Sequence, residues 1–213
     1  ALLEYAKEGC EIHDSAKMTL EQVIEVMKTA EVQGKTTVRL HTGDSSIYGA
    51  VREQFDKLIE LGIEYDVCPG VSSMSGAAAA LKAEYTLPEV SQTVIVTRME
   101  GRTPVPEKEK LRLLASHGAT MVLFLSVGLL DGVQQELMAG GYAPETPAAI
   151  VYKASWPDEK IFRCRLCDLK ETAEKNSVKK TALILVGRFL GDEYARSKRY
   201  DPTFTTECRE AEK

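Results

Sequence analysis

The chain has 213 residues, 44% of them apolar and 28% charged, with a net charge of -5. That is an ordinary globular composition, and its acidic balance argues against a general nucleic-acid surface or an anionic membrane as partner. Apolar runs such as "TALILV" are too short to span a bilayer, and "ALLEYAKEGCEIHD" lacks the basic and apolar regions of a signal peptide, so the expected location is the cytoplasm.

In chain order, "MTLEQVIEVMKTAEVQGK" predicts a helix with Thr19 as N-cap, Gln22 completing a capping box and Gly34 ending it. "TTVRLHT" reads as a strand, "GAVREQFDKLIELG" as a helix stopped by Gly62, and "IEYDVCPG" as a second strand that halts at Pro69-Gly70. "SSMSGAAAALKA" predicts a helix whose small residues allow close approach. Alternation of this kind is the pattern of a parallel α/β sheet.

After "LPEV" the rhythm restarts, which places a domain boundary near Pro88. Strands are expected at "SQTVIVTRM", "ATMVLFLS", "PAAIVYKA", "EKIFRCRL" and "TALILVG". Helices are expected at "KEKLRLLASHG", near "LLDGVQQELMAGG" and from about Asp168. The expected division is residues 1–88, residues 89–190 and a charged tail over 191–213.

Five cysteines at irregular spacing do not make a disulfide framework. Cys10, His13, Cys164 and Cys167 could be assembled on paper into a zinc site. However, "KIFRCRLCDL" is strand-like and has no knuckle glycine, and a strand turns Cys164 and Cys167 to opposite faces, so no metal is expected.

Two loops follow the first two expected strands and would share one sheet edge. In "HTGDSSIYGA", Gly43 permits close backbone approach and Asp44 supplies a carboxylate; in "CPGVSS", Ser72 and Ser73 can hydrogen-bond a ligand or cap a helix. Neither loop carries a G-x-G-x-x-G or a Walker lysine, so a phosphate cradle is weakly supported.

These stretches, with "YTLPEVSQTVI", "TRMEGRTPVPE" and "VYKASWPDEKI", resemble the S-adenosylmethionine-dependent tetrapyrrole methylases. Within that family they are similar to the precorrin-4 and cobalt-precorrin-4 C11-methyltransferases of corrin biosynthesis. The resemblance implies a two-domain α/β fold, with a mostly parallel N-terminal sheet and a mixed C-terminal sheet. It implies a cofactor in the cleft between the domains, a tetrapyrrole in an adjoining trough and a homodimer. It carries cofactor contacts to Thr42, Gly43, Asp44, Ile47, Ser72, Ser73, Leu125, Ser126 and Ala154. A substrate bearing several carboxylates calls for cations, and Arg98, Arg102 and Lys153 are the candidates.

His41 is a candidate acid–base group, though hydrogen bonding at a strand end would also explain it, and no general base is assigned. Trp156 could stack on the macrocycle or on Pro157. The rivals are other enzymes of the same fold, such as uroporphyrinogen methylases and diphthine synthase, and a cofactor- or tetrapyrrole-binding protein without turnover. The family pattern differs in two places. Ser45 stands where a proline usually follows the aspartate, and the family's opening strand and G-x-G-P-G-D loop precede the point where this sequence starts. The expectation is that supplying that segment restores activity.

Overall fold

The computed structural model describes residues 2–211. Contacts divide the chain into two compact units, Ala1–Ser72 and Ser73–Lys213.

The first unit is built on two helices, α1 (Leu20–Val32) and α2 (Arg52–Glu60). The predicted capping box is present: Gln22 N–H donates to Thr19 Oγ1 at 3.3 Å, and Thr19 N–H donates to Gln22 Oε1 at 2.8 Å. Gly34 and Gly62 follow the two helices at φ of 66° and 67°, the left-handed conformation that ends a helix at little cost to glycine. Ile24, Met27 and Leu58 are buried between the helices, and Phe55 stacks on Tyr65 with ring centroids 4.9 Å apart.

The segments 36–42 and 63–70, expected as strands, enter no ladder among the described residues. Their β-branched and aromatic residues favour an extended chain, but a strand also requires a paired neighbour. Val38 is accordingly 74% exposed.

The second unit holds every strand expected after Pro88. These are β1 (Val94–Arg98), β2 (Thr120–Phe124), β3 (Pro147–Tyr152), β4 (Lys160–Arg165) and β5 (Ala182–Val186). They form one sheet in the order β1-β2-β5-β3-β4. The β1–β2 pair is parallel and the remaining pairs are antiparallel, so β1, β2 and β3 all run the same way.

The runs "MVLF", "AAIV" and "LILV" are continuously apolar because both faces of the sheet are covered. On one face Met121, Leu123, Ile150 and Ile184 meet α4 (Leu111–Ala115), α5 (Leu130–Ala139) and α6 (Leu169–Lys175). On the other face Val122, Ala149, Val151 and Leu185 meet α3 (Ser73–Leu81) through Ala77 and Leu81. Side chains of alternate residues point to alternate faces, as strand geometry requires. Each large side chain so buried contributes about 1.5–3 kcal/mol.

The sequence rhythm groups α3 with residues ahead of Pro88, yet it packs on this sheet. Its alanines let it approach closely, and Arg163 on β4 fastens its end by donating from Nη2 to Leu81 O at 2.9 Å. The edge strand β4 alternates exposed charge with partial burial, which protects the edge from pairing with other chains.

Candidate active site

In the first unit, Asp44 ties two loops together. One carboxylate oxygen, Oδ2, accepts from Gly70 N–H at 2.8 Å. The other, Oδ1, accepts from Ser46 N–H at 2.9 Å and from the Ser46 hydroxyl. Hydrogen bonds from Ser46 and Gly70 hold the carboxyl below its usual pKa, so it is an anion at neutral pH. Ile47 N–H donates back to Asp44 O at 3.4 Å, which closes the turn. Gly43 adopts φ 66°, and a Cβ on Gly70 would lie 2.0 Å from Gly43 O. Glycine at position 70 is therefore a condition of the loop contact. Thr42 and Gly43 remain exposed, with Asp44 and Ile47 half-buried behind them. His41 Nε2 is buried without a hydrogen-bond partner among the described residues. Burial and the nearby Arg39 push the pKa of this imidazole down, which favours its neutral form.

In the second unit, β1, β2 and β3 end at one sheet edge; Arg98 is the last residue of β1, and the following loops carry Arg102, then Leu125 and Ser126, then Lys153 and Ala154. Ser126 is buried and joins two of these loops: its hydroxyl donates to Phe124 O at 2.6 Å and accepts from Met99 N–H at 2.7 Å. Leu125 beside it is 71% exposed at φ 53°. An apolar, non-glycine residue in that conformation costs about 1–3 kcal/mol and persists where the surroundings impose it. Ala154 packs in the same apolar cluster as Met74, the residue after Ser73 at the start of α3. A Cβ on Gly76 would lie 3.5 Å from Ala154 Cβ, so Ala154 sits against the first turn of α3.

The three candidate cations differ. Arg98 spends its guanidinium on the fold, donating to the carbonyls of Met99 at 3.4 Å, Thr103 at 3.2 Å and Pro104 at 2.7 Å. Arg102, on the loop so fixed, is exposed and has no hydrogen-bond or ion-pair partner among the described residues. Lys153 pairs with Asp158 at 2.5 Å.

Sequence reasoning named Gly70 only as a turn residue and did not single out Asp158 or Glu159. The "PDE" following Trp156 was visible, but nothing local says which charge it meets. Among the described residues no cluster of His, Cys, Asp or Glu could hold a metal ion, and Cys164 and Cys167 are free thiols whose pKa burial raises. A cavity lined by Glu89, Pro147, Arg188 and Tyr194 lies beside the first residue of β3, at the opposite end of the sheet, and includes none of these loops.

Residues 2–170 match the tetrapyrrole (corrin/porphyrin) methylase family, and the chain belongs to it. It is 58% identical over 213 residues to the cobalt-precorrin-4 C(11)-methyltransferase of Methanocaldococcus jannaschii, covering all of this chain and 82% of that protein. It is 42% identical over 201 residues to the precorrin-4 C(11)-methyltransferase of Pseudomonas aeruginosa, covering 94% of this chain and 80% of the relative. Its fold matches a crystal structure of a cobalamin biosynthetic enzyme, cobalt precorrin-4 methyltransferase, with a TM-score of 0.88 and 46% identity. That match covers 90% of this chain and 80% of the other.

Proposed function

We propose that this protein transfers the methyl group of S-adenosylmethionine to C11 of precorrin-4 or cobalt-precorrin-4 in cobalamin biosynthesis. The observation that carries the reading is likeness along the whole chain to methyltransferases of that one position, combined with the loops described above. The residues present fit the cofactor: an anionic Asp44 suits a cationic sulfonium, and exposed backbone at Thr42 and Gly43 can meet its polar groups.

When bound, S-adenosylmethionine supplies an activated methyl group for in-line displacement by a ring carbon. The chain has to bind, orient and desolvate. Thr42, Gly43, Asp44 and Ile47, with Ser72 and Ser73, are the proposed cofactor contacts from the first two loops. Leu125 and Ala154 are proposed contacts from the second unit, with Ser126 fixing the loop that presents Leu125. Arg102 is the proposed contact for substrate carboxylates, and Arg98 holds its loop in shape.

We assign the protein to the cytoplasm, since all five cysteines are free thiols. A homodimer is the expected assembly, which light scattering would check. A substrate panel tests the function. Methyl transfer to precorrin-4 or its cobalt form, with none to uroporphyrinogen III, supports it. Preference for uroporphyrinogen III would overturn it.

A further inference from the structure

The loop from Tyr152 to Glu159 is fastened to itself at several points. Lys153 Nζ lies 2.5 Å from Asp158 Oδ2 and 5.2 Å from the ring centroids of both Tyr152 and Trp156. Ser155 N–H donates to Glu159 Oε2 at 2.6 Å, and Glu159 N–H donates to Trp156 O at 3.0 Å. Trp156 N–H donates to Lys153 O at 3.0 Å, and Lys153 N–H reaches Thr181 O, ahead of β5, at 2.9 Å. Within this frame Lys153 and Ser155 both adopt left-handed backbone, at φ 50° and 68°. Neither is glycine, so the turn must be held in place by its surroundings. Ala154 stands between them.

An isolated surface ion pair would do little. Here the ammonium is shared between a carboxylate and two aromatic faces, and the lysine side chain is only 23% exposed. The cation is thereby committed inside the loop.

We propose that Asp158 is a positioning residue: through Lys153, clamped between Tyr152 and Trp156, it fixes the left-handed turn at 153–155 that presents Ala154 to the cofactor. Lys153 then belongs to this latch and is not a contact for substrate carboxylates. The inference rests on the cofactor reading of Ala154 given above.

Trp156 is the only tryptophan in the chain, so intrinsic fluorescence reports on this loop alone among the tryptophan-sized chromophores. The variants are Asp158→Asn, Lys153→Met and Lys153→Arg in the full chain. They are read by acrylamide quenching without ligand and by methyl-transfer kinetics. Asp158→Asn and Lys153→Met should make Trp156 more quenchable and raise KM for S-adenosylmethionine about tenfold, with kcat within about twofold. Lys153→Arg, which keeps the cation, should restore both readouts. Unchanged quenching in all three variants would overturn the latch. Changed quenching with unchanged cofactor KM would overturn its positioning role. A rise in tetrapyrrole KM alone for Lys153→Met would return Lys153 to the substrate trough. Absence of S-adenosylhomocysteine binding to the unaltered protein in calorimetry would overturn the cofactor reading, and with it the role of Ala154, while the quenching series would still decide the latch.

Discussion

A side chain at position 70 and the Gly43 carbonyl cannot share the same space, because only 2.0 Å separates that oxygen from an ideal Cβ on Gly70. Gly70→Ala should push the two loops apart, lowering stability by about 1–3 kcal/mol. It should also lower affinity for S-adenosylhomocysteine in calorimetry. Asp44→Ala should weaken the same binding, because the carboxylate is the joint between the loops. The pH dependence follows from the depressed pKa of Asp44. A carboxyl with a lower pKa in the folded protein stabilises above its unfolded value, and the effect is lost as pH falls through the folded value. Loop closure, followed by calorimetry in acid, should therefore survive mild acidification and fail only below the ordinary carboxylate range. Loss of affinity already between pH 7 and 6 would point to another group. Asp44 and Gly43 were legible in the sequence as a small polar turn after an apolar run. Gly70 was legible only as a turn residue, because its clash partner lies 27 positions away by their numbers in the chain. Arg98 and Arg102 looked equivalent in "TRMEGR", and only the carbonyls around Arg98 separate them. Arg102→Ala should raise KM for the tetrapyrrole and leave cofactor affinity intact, as steady-state kinetics would show.

Elements with their own local chemistry were read well. The capping box at Thr19 and Gln22 is written in adjacent side chains, and the apolar runs of β2, β3 and β5 announce strands covered on both faces. What depends on a distant partner was not legible. The extended segments at 36–42 and 63–70 carry strand-like residues, but pairing is a property of two segments, and no ladder forms there among the described residues. Sequence spacing likewise does not show that α3 packs on the later sheet, since the contacts of Ala77 and Leu81 are long-range. Leu137→Ala on α5, at a fully buried position, should cost about 2–5 kcal/mol in denaturant unfolding. Thr19→Ala, which removes one half of the capping box, should cost about 1 kcal/mol. An equal cost at the two sites would contradict this division between core and cap.

At the scale of the molecule, the two units differ in what holds them. The second has a five-stranded sheet with helices on both faces, and the first has a small cluster around Ile24, Met27 and Leu58. Hydrogen exchange should reflect this, with the slowest amides in β2, β3 and β5 and rapid exchange over 36–42 and 63–70. The measurement that tests the functional reading most directly is methyl transfer from S-adenosylmethionine carrying a carbon-13 methyl group, followed by NMR of the tetrapyrrole product. The expected result is one labelled methyl group, bonded to C11. Label at any other ring position, or on uroporphyrinogen III in preference to the precorrin-4 substrate, would contradict it.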